Sequence, residues 1–430
     1  MQMRKVLHVT THMGGGVGKA LSGIAAYAQQ HLFGWRHSIL LLEPPEKTNF
    51  VDICRRNHVE LRIARDADDI VAAIHDSDIV QVEWWHHPRM CRWLANFPNL
   101  PMRLVFWCHV SGCFYPYLPP SLLRIPQKFI FTSRCSFDNP YWDEGTREWA
   151  RQHCAVVNSS GGFDAISPAR KEHVGDGFCI GYAGTQSFSK IHPNFIRFCQ
   201  AVADLPGVGF RMVGDKNNEA VLLEQAAQHG LADLFHFVGY TADINEEFSR
   251  MDVFGYLLNP THFGTTENVL LEAMAAELPV VCLNQCAEKY LVQHGKTGLL
   301  VRSIEEYGQA IYFLHTHPEE RKRLGQAARK YVLEHFAAGL TVKLLHGLYD
   351  EILGREKEQY NFQGTFGKIP HEFFLACLPP SLRKNFKVDS TWPLILREEN
   401  KSSLPHFCRC YPEDEILQRW NGMLDGGNYA

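Results

Sequence analysis

The sequence predicts an α/β protein made of two Rossmann-like domains, each a parallel sheet covered by helices, followed by an irregular C-terminal appendage. Three observations carry this expectation. The chain has 430 residues, beyond the size at which a single hydrophobic core keeps growing. Apolar residues make up 45% and charged residues 21%, the balance of a globular chain with a sizeable core and not of a disordered one. Short β-rich apolar runs alternate with helical stretches twice along the chain, the pattern of parallel sheets with crossover helices.

In the first domain, Val6–Thr10, Ser38–Leu42, Ile79–Trp84, Leu104–Cys108 and Lys128–Thr132 read as buried strands. In the second, the strands are Cys179–Gly184, Gly209–Val213, Leu234–Val238, Val253–Leu257 and Pro279–Leu283, ending near Leu300–Arg302. Gly, Ser and Pro interrupt the periodicity around Gly161–Gly177, which predicts a boundary and a hinge there. Helical spacing then covers Glu305–His315, Pro318–Glu334 and Leu340–Leu353. The expected organisation is a first domain over 1–165, a second over 166–340, a helix over 341–355 that crosses back to the first, and an appendage over 356–430. That appendage has no long periodicity, yet Phe362, Phe366, Phe373, Phe374, Trp392 and Trp420 offer more apolar area than a solvated tail carries, so it is expected to pack on the body.

A net charge of −4 provides no general attraction for nucleic acid, and none is expected as a partner. The apolar stretch Met274–Leu283 carries Glu277 and is far shorter than a membrane span, which leaves peripheral contact as the form of membrane association. The run Val6–Val9 is too short for a signal-peptide core and reads as a first strand. Thirteen scattered cysteines, an odd number, fit reduced thiols in a cytoplasm. Neither Cys282 with Cys286 nor Cys408 with Cys410 has the paired spacing of a zinc site, so no metal is expected.

Gly14, Gly15 and Gly16, with Gly18 and Lys19, follow the first strand and precede a helical stretch, where open α/β sheets bind phosphates. A nucleotidase P-loop needs a glycine five residues before its Gly-Lys pair and a Ser or Thr after it. Met13 and Ala20 occupy those places, so that reading fails. Two readings stand: a loop whose bare backbone lets a phosphate or sugar approach the amides, or a tight turn only.

The most informative stretch is Pro260–Leu283, PTHFGTTENVLLEAMAAELPVVCL. Glu267, Asn268 and Glu272 open a helix whose Val269, Leu270, Ala273 and Met274 form a buried stripe. Thr265 and Thr266 are candidates to cap it, and Glu267 suits either a helix-end position or a ligand. Together with IGYAGTQSFSK from Ile180, FRMVGD from Phe210, FHFVGY from Phe235 and HGKTGLLV from His294, this segment resembles the donor-binding half of the family 4 (GT4) retaining glycosyltransferases. The resemblance covers roughly residues 3 to 350. In the first domain it rests on the glycine loop and on Cys108-His109-Val110-Ser111-Gly112.

The resemblance implies a GT-B fold, two Rossmann-like domains facing each other across a cleft, and a nucleotide-sugar donor with no further cofactor. It implies that Glu272 is the second glutamate of the family's E-x7-E motif and binds the donor ribose. The first glutamate falls at Gly264, so the usual carboxylate is missing and Glu267 is the substitute. The family's diphosphate clamp, an Arg and a Lys, falls on Thr185 and Lys190. Backbone amides from Gly264 through Thr265, Thr266, Glu267 and Asn268 are expected to supplement it. His109 matches a histidine placed near the donor sugar, so Glu267, His109 and Lys190 are the expected catalytic set. Trp84 and Trp85 read as core, with sugar stacking as the alternative, alongside His86 and His87.

By the same resemblance the reaction retains anomeric configuration, needs no metal, and is completed by domain closure that excludes water. Two other readings remain: a lapsed transferase acting as a binding or assembly subunit, motivated by Gly264 and Thr185, and a sugar-nucleotide epimerase. The sugar, the base and the acceptor, whether a glycan, a lipid-linked glycan or another metabolite, are not written in the sequence.

Overall fold

The computed structural model describes residues 3–31, 34–160, 162–169, 177–241, 243–384, 388, 392, 394–398 and 401–425. The chain forms two compact units, Met1–Gly161 with Phe263–Thr266 and Ala338–Ala430, and Gly162–His262 with Glu267–Ala337. Of the hinge region expected at 161–177, residues 161 and 170–176 lie outside the described residues.

The first unit holds seven strands: β1 (Arg4–Thr10), β2 (Trp35–Leu41), β3 (Glu60–Ile63), β4 (Ile79–Trp84), β5 (Leu104–Cys108), β6 (Lys128–Phe131) and β7 (Ala155–Val156). They pair in the order β3-β2-β1-β4-β5-β6-β7, all parallel. The order reverses beside β1, which sets the carboxyl ends of β1 and β4 at a topological switch point, the place where open α/β sheets bind ligands. The second unit holds β8 (Phe178–Ala183), β9 (Val208–Val213), β10 (Phe235–Gly239), β11 (Val253–Tyr256), β12 (Val280–Leu283) and β13 (Leu299–Val301). Their order is β10-β9-β8-β11-β12-β13, again parallel.

β3 and β7 escape the sequence pattern for physical reasons. β3 is a charged edge strand and β7 has two residues, so neither writes the apolar run that marks a buried strand. The long helices Ile304–Thr316, Pro318–His335 and Ala338–Leu353 fall where the 3.6-residue spacing places them. Among the described residues the thirteen cysteines form no disulfide, and no helix is long and apolar enough to cross a membrane.

Beyond Arg355 the described residues form six short helices of 4 to 11 residues, too brief for a helical period to register in the sequence. Their aromatics belong to the first unit's core. Phe362 lies 5.5 Å from Phe106 and Phe366 lies 5.3 Å from Trp84, ring to ring. Phe374 is fully buried among Tyr115, Trp392, Phe407 and Trp420. Tyr411 Oη donates to Pro88 O at 2.7 Å, tying the last helices to the segment after β4. Truncating Phe374 to alanine is therefore expected to cost about 3–5 kcal/mol, read as a lowered midpoint in urea. A loss below about 1 kcal/mol would mean that this aromatic cluster does not hold the appendage.

Candidate functional site

In the second unit the site is built at the carboxyl ends of β8 and β11. Gly184 follows β8 at φ +139°, and a Cβ there would sit 3.2 Å from Lys190 Nζ. Gly214, after β9 at φ +136°, has no room for a side chain because its Cβ would meet Gly184 O at 2.0 Å. These two glycines let the loop bearing Thr185 and Lys190 fold tightly over the strand ends. Thr185 is exposed, and its carbonyl accepts from Tyr182 Oη at 2.9 Å.

Glu267 occupies the N-cap position of the helix Asn268–Ala275 but its side chain makes no capping bond. It turns back toward β11 instead. Tyr256 Oη donates to Glu267 Oε2 at 2.6 Å, Lys190 Nζ lies 3.8 Å from the same oxygen, and His262 Nε2 lies 3.5 Å from Oε1. Lys190 Nζ also stands 5.7 Å from the centre of the Tyr256 ring, which stacks with Tyr182. Burial alone would raise the Glu267 carboxyl, but Lys190, then His262 and Tyr256, outweigh it and hold the group near about 2. The capping alternative for Glu267 is thus corrected: its carboxylate is spent on a lysine and a tyrosine, not on the helix end.

Thr265 and Thr266 do not cap the helix either, because the helix begins only at Asn268. Thr132 Oγ1 donates to Thr265 Oγ1 at 2.6 Å and Thr266 Oγ1 donates to Thr132 O at 3.0 Å, so both are held at the end of β6 in the first unit together with Gly264. Ser111 N adds a bond to Phe263 O at 2.9 Å. Asn268 is the first helical residue, and Glu272 lies within the same helix at 5% exposure.

Behind Glu267 stands Glu288, 2% exposed and hydrogen-bonded by Gln285 Nε2 at 3.0 Å. Burial, then the charge of Glu267, push this carboxyl up to about 8. A carboxyl raised in the fold favours folding less as pH rises between its ordinary value of 4.5 and about 8, at about 1.4 kcal/mol per pH unit. Glu288→Gln, neutral and nearly isosteric, is expected to flatten that slope and raise the melting temperature at pH 8 but not at pH 5. Equal melting shifts at both pH values would contradict the assignment.

In the first unit, Gly14 N donates to His12 Nδ1 at 2.9 Å and Gly15 begins the helix Gly15–His31 at φ +61°. Gly14 is half-buried and Gly15 and Gly16 are exposed, leaving a bare backbone loop at a helix start. His109 follows β5. Its Nε2 meets Glu83 Oε2 at 2.7 Å and its ring packs on Trp107. Trp84 and Trp85 are buried, as core packing requires, and Trp84 meets Phe366 of the appendage.

His12, Glu43 and His87 converge closely enough to raise the question of a metal ion. The donor set does not fit one. Nδ1 of each histidine accepts a backbone N–H, from Gly14 and from Arg89, so each neutral ring carries its proton on Nε2. His87 Nε2 lies 3.3 Å and Arg89 Nε 2.7 Å from Glu43, so that carboxylate is already served by donors.

Lys190, on the loop that carries Thr185, and Glu267, at the N-cap of the helix holding Asn268 and Glu272, are thus brought together in the second unit. His109 and Gly14–Gly16 lie in the first. Sequence reading passed over Tyr256, His262, Glu288 and Glu83. His262 sits inside the Pro260–Leu283 segment itself, and Glu83 is a carboxylate within the run IVQVEW of a central strand, a conspicuous break in a buried parallel sheet.

With this geometry in view, the fold is GT-B and the comparisons support a glycosyltransferase. Residues 165–331 match the family "Glycosyl transferases group 1". The lipopolysaccharide core biosynthesis glycosyltransferase LpsE of Rhizobium meliloti is 28% identical over 134 residues, 31% of this chain, and the match spans 38% of LpsE's length. Among solved structures, HepE of Anabaena in complex with UDP is similar with a TM-score of 0.64 at 16% identity, covering 81% of this chain and 100% of HepE. A glycosyltransferase from Rickettsia africae has a TM-score of 0.66 at 15% identity, covering 83% of this chain and 100% of its own. At these identities the structural likeness shows the GT-B fold alone.

Proposed function

We propose that the chain transfers a sugar from a UDP-linked donor to a glycan-type acceptor, in the manner of the GT4 enzymes it resembles and with retention of configuration. One observation carries the proposal: a buried carboxylate, Glu267, turned away from its helix end and paired with Lys190 at the carboxyl edge of the second sheet. The complexes of HepE with UDP and with UDP-glucose favour a UDP donor, and the match to a lipopolysaccharide core enzyme favours glycan synthesis.

In this reading Glu272 holds the ribose hydroxyls, while Lys190 and the amides of Glu267 and Asn268 receive the diphosphate, with the Thr185 hydroxyl beside them. Glu267 faces the transferred sugar, and its negative charge stabilises the cationic character that develops at C1. The C1–O bond to the diphosphate breaks, the acceptor hydroxyl bonds to C1 on the same face, and its proton passes to the departing phosphate oxygen. Lys190 and the helix-start amides supply the positive charge that the leaving group needs, so the step is assigned without a metal. Gly14–Gly16 and His109 are assigned to substrate in the first unit. The enzyme works in the cytoplasm, with peripheral membrane contact where the acceptor is lipid-linked.

The test is titration calorimetry with UDP and UDP-glucose alongside UDP release over a panel of glycan acceptors. Glu272→Ala is expected to weaken UDP binding by about 1–3 kcal/mol in a folded protein. Unchanged affinity would remove the ribose assignment. A lapsed subunit, which Gly264 and Thr185 favour, would bind UDP-glucose and gain thermal stability from it yet release no UDP with any acceptor.

A further inference from the structure

The first unit's sheet carries an unusual feature on the face covered by the helices Gly15–His31 and Ala338–Leu353. Central parallel strands are ordinarily apolar on both faces. Here β1 contributes His8, β2 contributes His37, and β4 contributes Gln81 and Glu83, all at most 2% exposed. They form a continuous chain. Glu83 Oε2 meets His109 Nε2 at 2.7 Å, and Oε1 meets His8 Nδ1 at 2.7 Å and Gln81 Nε2 at 2.8 Å. His8 Nε2 meets His37 Nδ1 at 2.8 Å, and His37 Nε2 meets His346 Nε2 at 2.9 Å. Tyr349 Oη donates to Gln81 Oε1 at 2.7 Å, which turns the Gln81 amide group toward Glu83.

A carboxylate sealed in a core survives only when its oxygens are fully served by donors. Burial pushes Glu83 up, but the bonds from His109 and His8 outweigh that and hold it at about 2. An ionised Glu83 fixes the proton positions. His109 presents Nε2–H to it, so the lone pair of the neutral ring sits on Nδ1, which takes no protein hydrogen bond among the described residues. His8 presents Nδ1–H, His37 Nδ1–H donates to His8 Nε2, and His346 Nε2–H donates to His37 Nε2. Every donor then has one acceptor.

We propose that Glu83 is the positioning residue that locks His109 in its Nε2-protonated tautomer, with Nδ1 offered to a substrate hydroxyl. The hydroxyl belongs to a sugar or an acceptor, a use that rests on the glycosyltransferase reading. The tautomer does not rest on it.

The experiment is long-range 1H–15N NMR on the full chain labelled with 15N-histidine, with signals assigned by single His→Gln variants. In the wild type the neutral His109 ring is expected to be protonated on Nε2 and bare on Nδ1. Glu83→Gln should release that preference, giving mixed tautomers, and should lower turnover at least about tenfold with a shifted pH profile. His346→Gln should leave the His109 tautomer intact. A wild-type His109 protonated on Nδ1, or a Glu83→Gln variant with an unchanged His109 tautomer, would overturn the proposal. The wild-type spectrum decides even where Glu83→Gln does not fold. The expected tautomer in a protein that consumes no nucleotide sugar would sink the glycosyltransferase reading and leave the positioning role standing.

Discussion

Glu267→Gln is expected to lower turnover by about 100- to 1000-fold, the loss seen when one preorganised electrostatic group is removed from an active site. UDP affinity should change by less than about tenfold, because the amide keeps the shape and the hydrogen bond from Tyr256. The reasoning follows from where the side chain goes. A carboxylate whose job is to finish a helix would bond the first-turn amides, and this one bonds none. It lies instead on Tyr256 and beside Lys190 and His262, at 6% exposure. Keeping such a group ionised requires a dedicated set of partners, and a negative charge held that way is worth most where positive charge develops, in the proposed reaction at C1 of the transferred sugar. UDP release, calorimetry and melting on the same variant separate the roles. Near-normal turnover with a lowered melting temperature would make Glu267 a structural ion-pair member and remove it from the chemistry.

The sheets were legible because buried parallel strands are written as apolar runs: Ile79–Trp84 and Leu104–Cys108 lie where the pattern puts them, to the residue. What was not legible lay either at edges or in three dimensions. The charged β3 and the two-residue β7 have nothing to bury on their outer sides, and helices of 4 to 11 residues after Arg355 complete too few turns to show a stripe. Gly264 could be read as a missing carboxylate, but whether Glu267 capped a helix or faced a lysine depends on a side-chain direction that spacing does not encode. The sequence places Tyr256 and Glu83 in strands, and so does the structure. Their roles arise from neighbours on other strands, Glu83 meeting His8 from β1 and Tyr256 meeting a loop residue eleven positions on.

Lys190→Met is expected to act on both stability and chemistry, which makes it the sharper companion to Glu267→Gln. Glu267 has its carboxyl depressed from 4.5 to about 2, and a group depressed in the fold contributes stability above its unfolded value that disappears as pH falls toward its folded one. At neutral pH that contribution is of the order of 3 kcal/mol, and the charge of Lys190 is the largest of the interactions that generate it. Replacing the ammonium with a thioether keeps the stem's packing and leaves a buried charge with only Tyr256 and His262. Stability at pH 7 should drop, while at pH 3 the difference between variant and wild type should shrink as Glu267 takes up its proton in the variant first. Turnover should fall by about 100-fold or more, since the leaving diphosphate loses its fixed cation, whereas Glu267→Gln leaves that cation in place. The double variant Lys190→Met with Glu267→Gln should regain much of the stability lost in Lys190→Met, because no unpaired charge then stays buried, yet it should remain inactive. A double variant no more stable than Lys190→Met alone would show that the two side chains are not coupled, and the site as assigned would not stand.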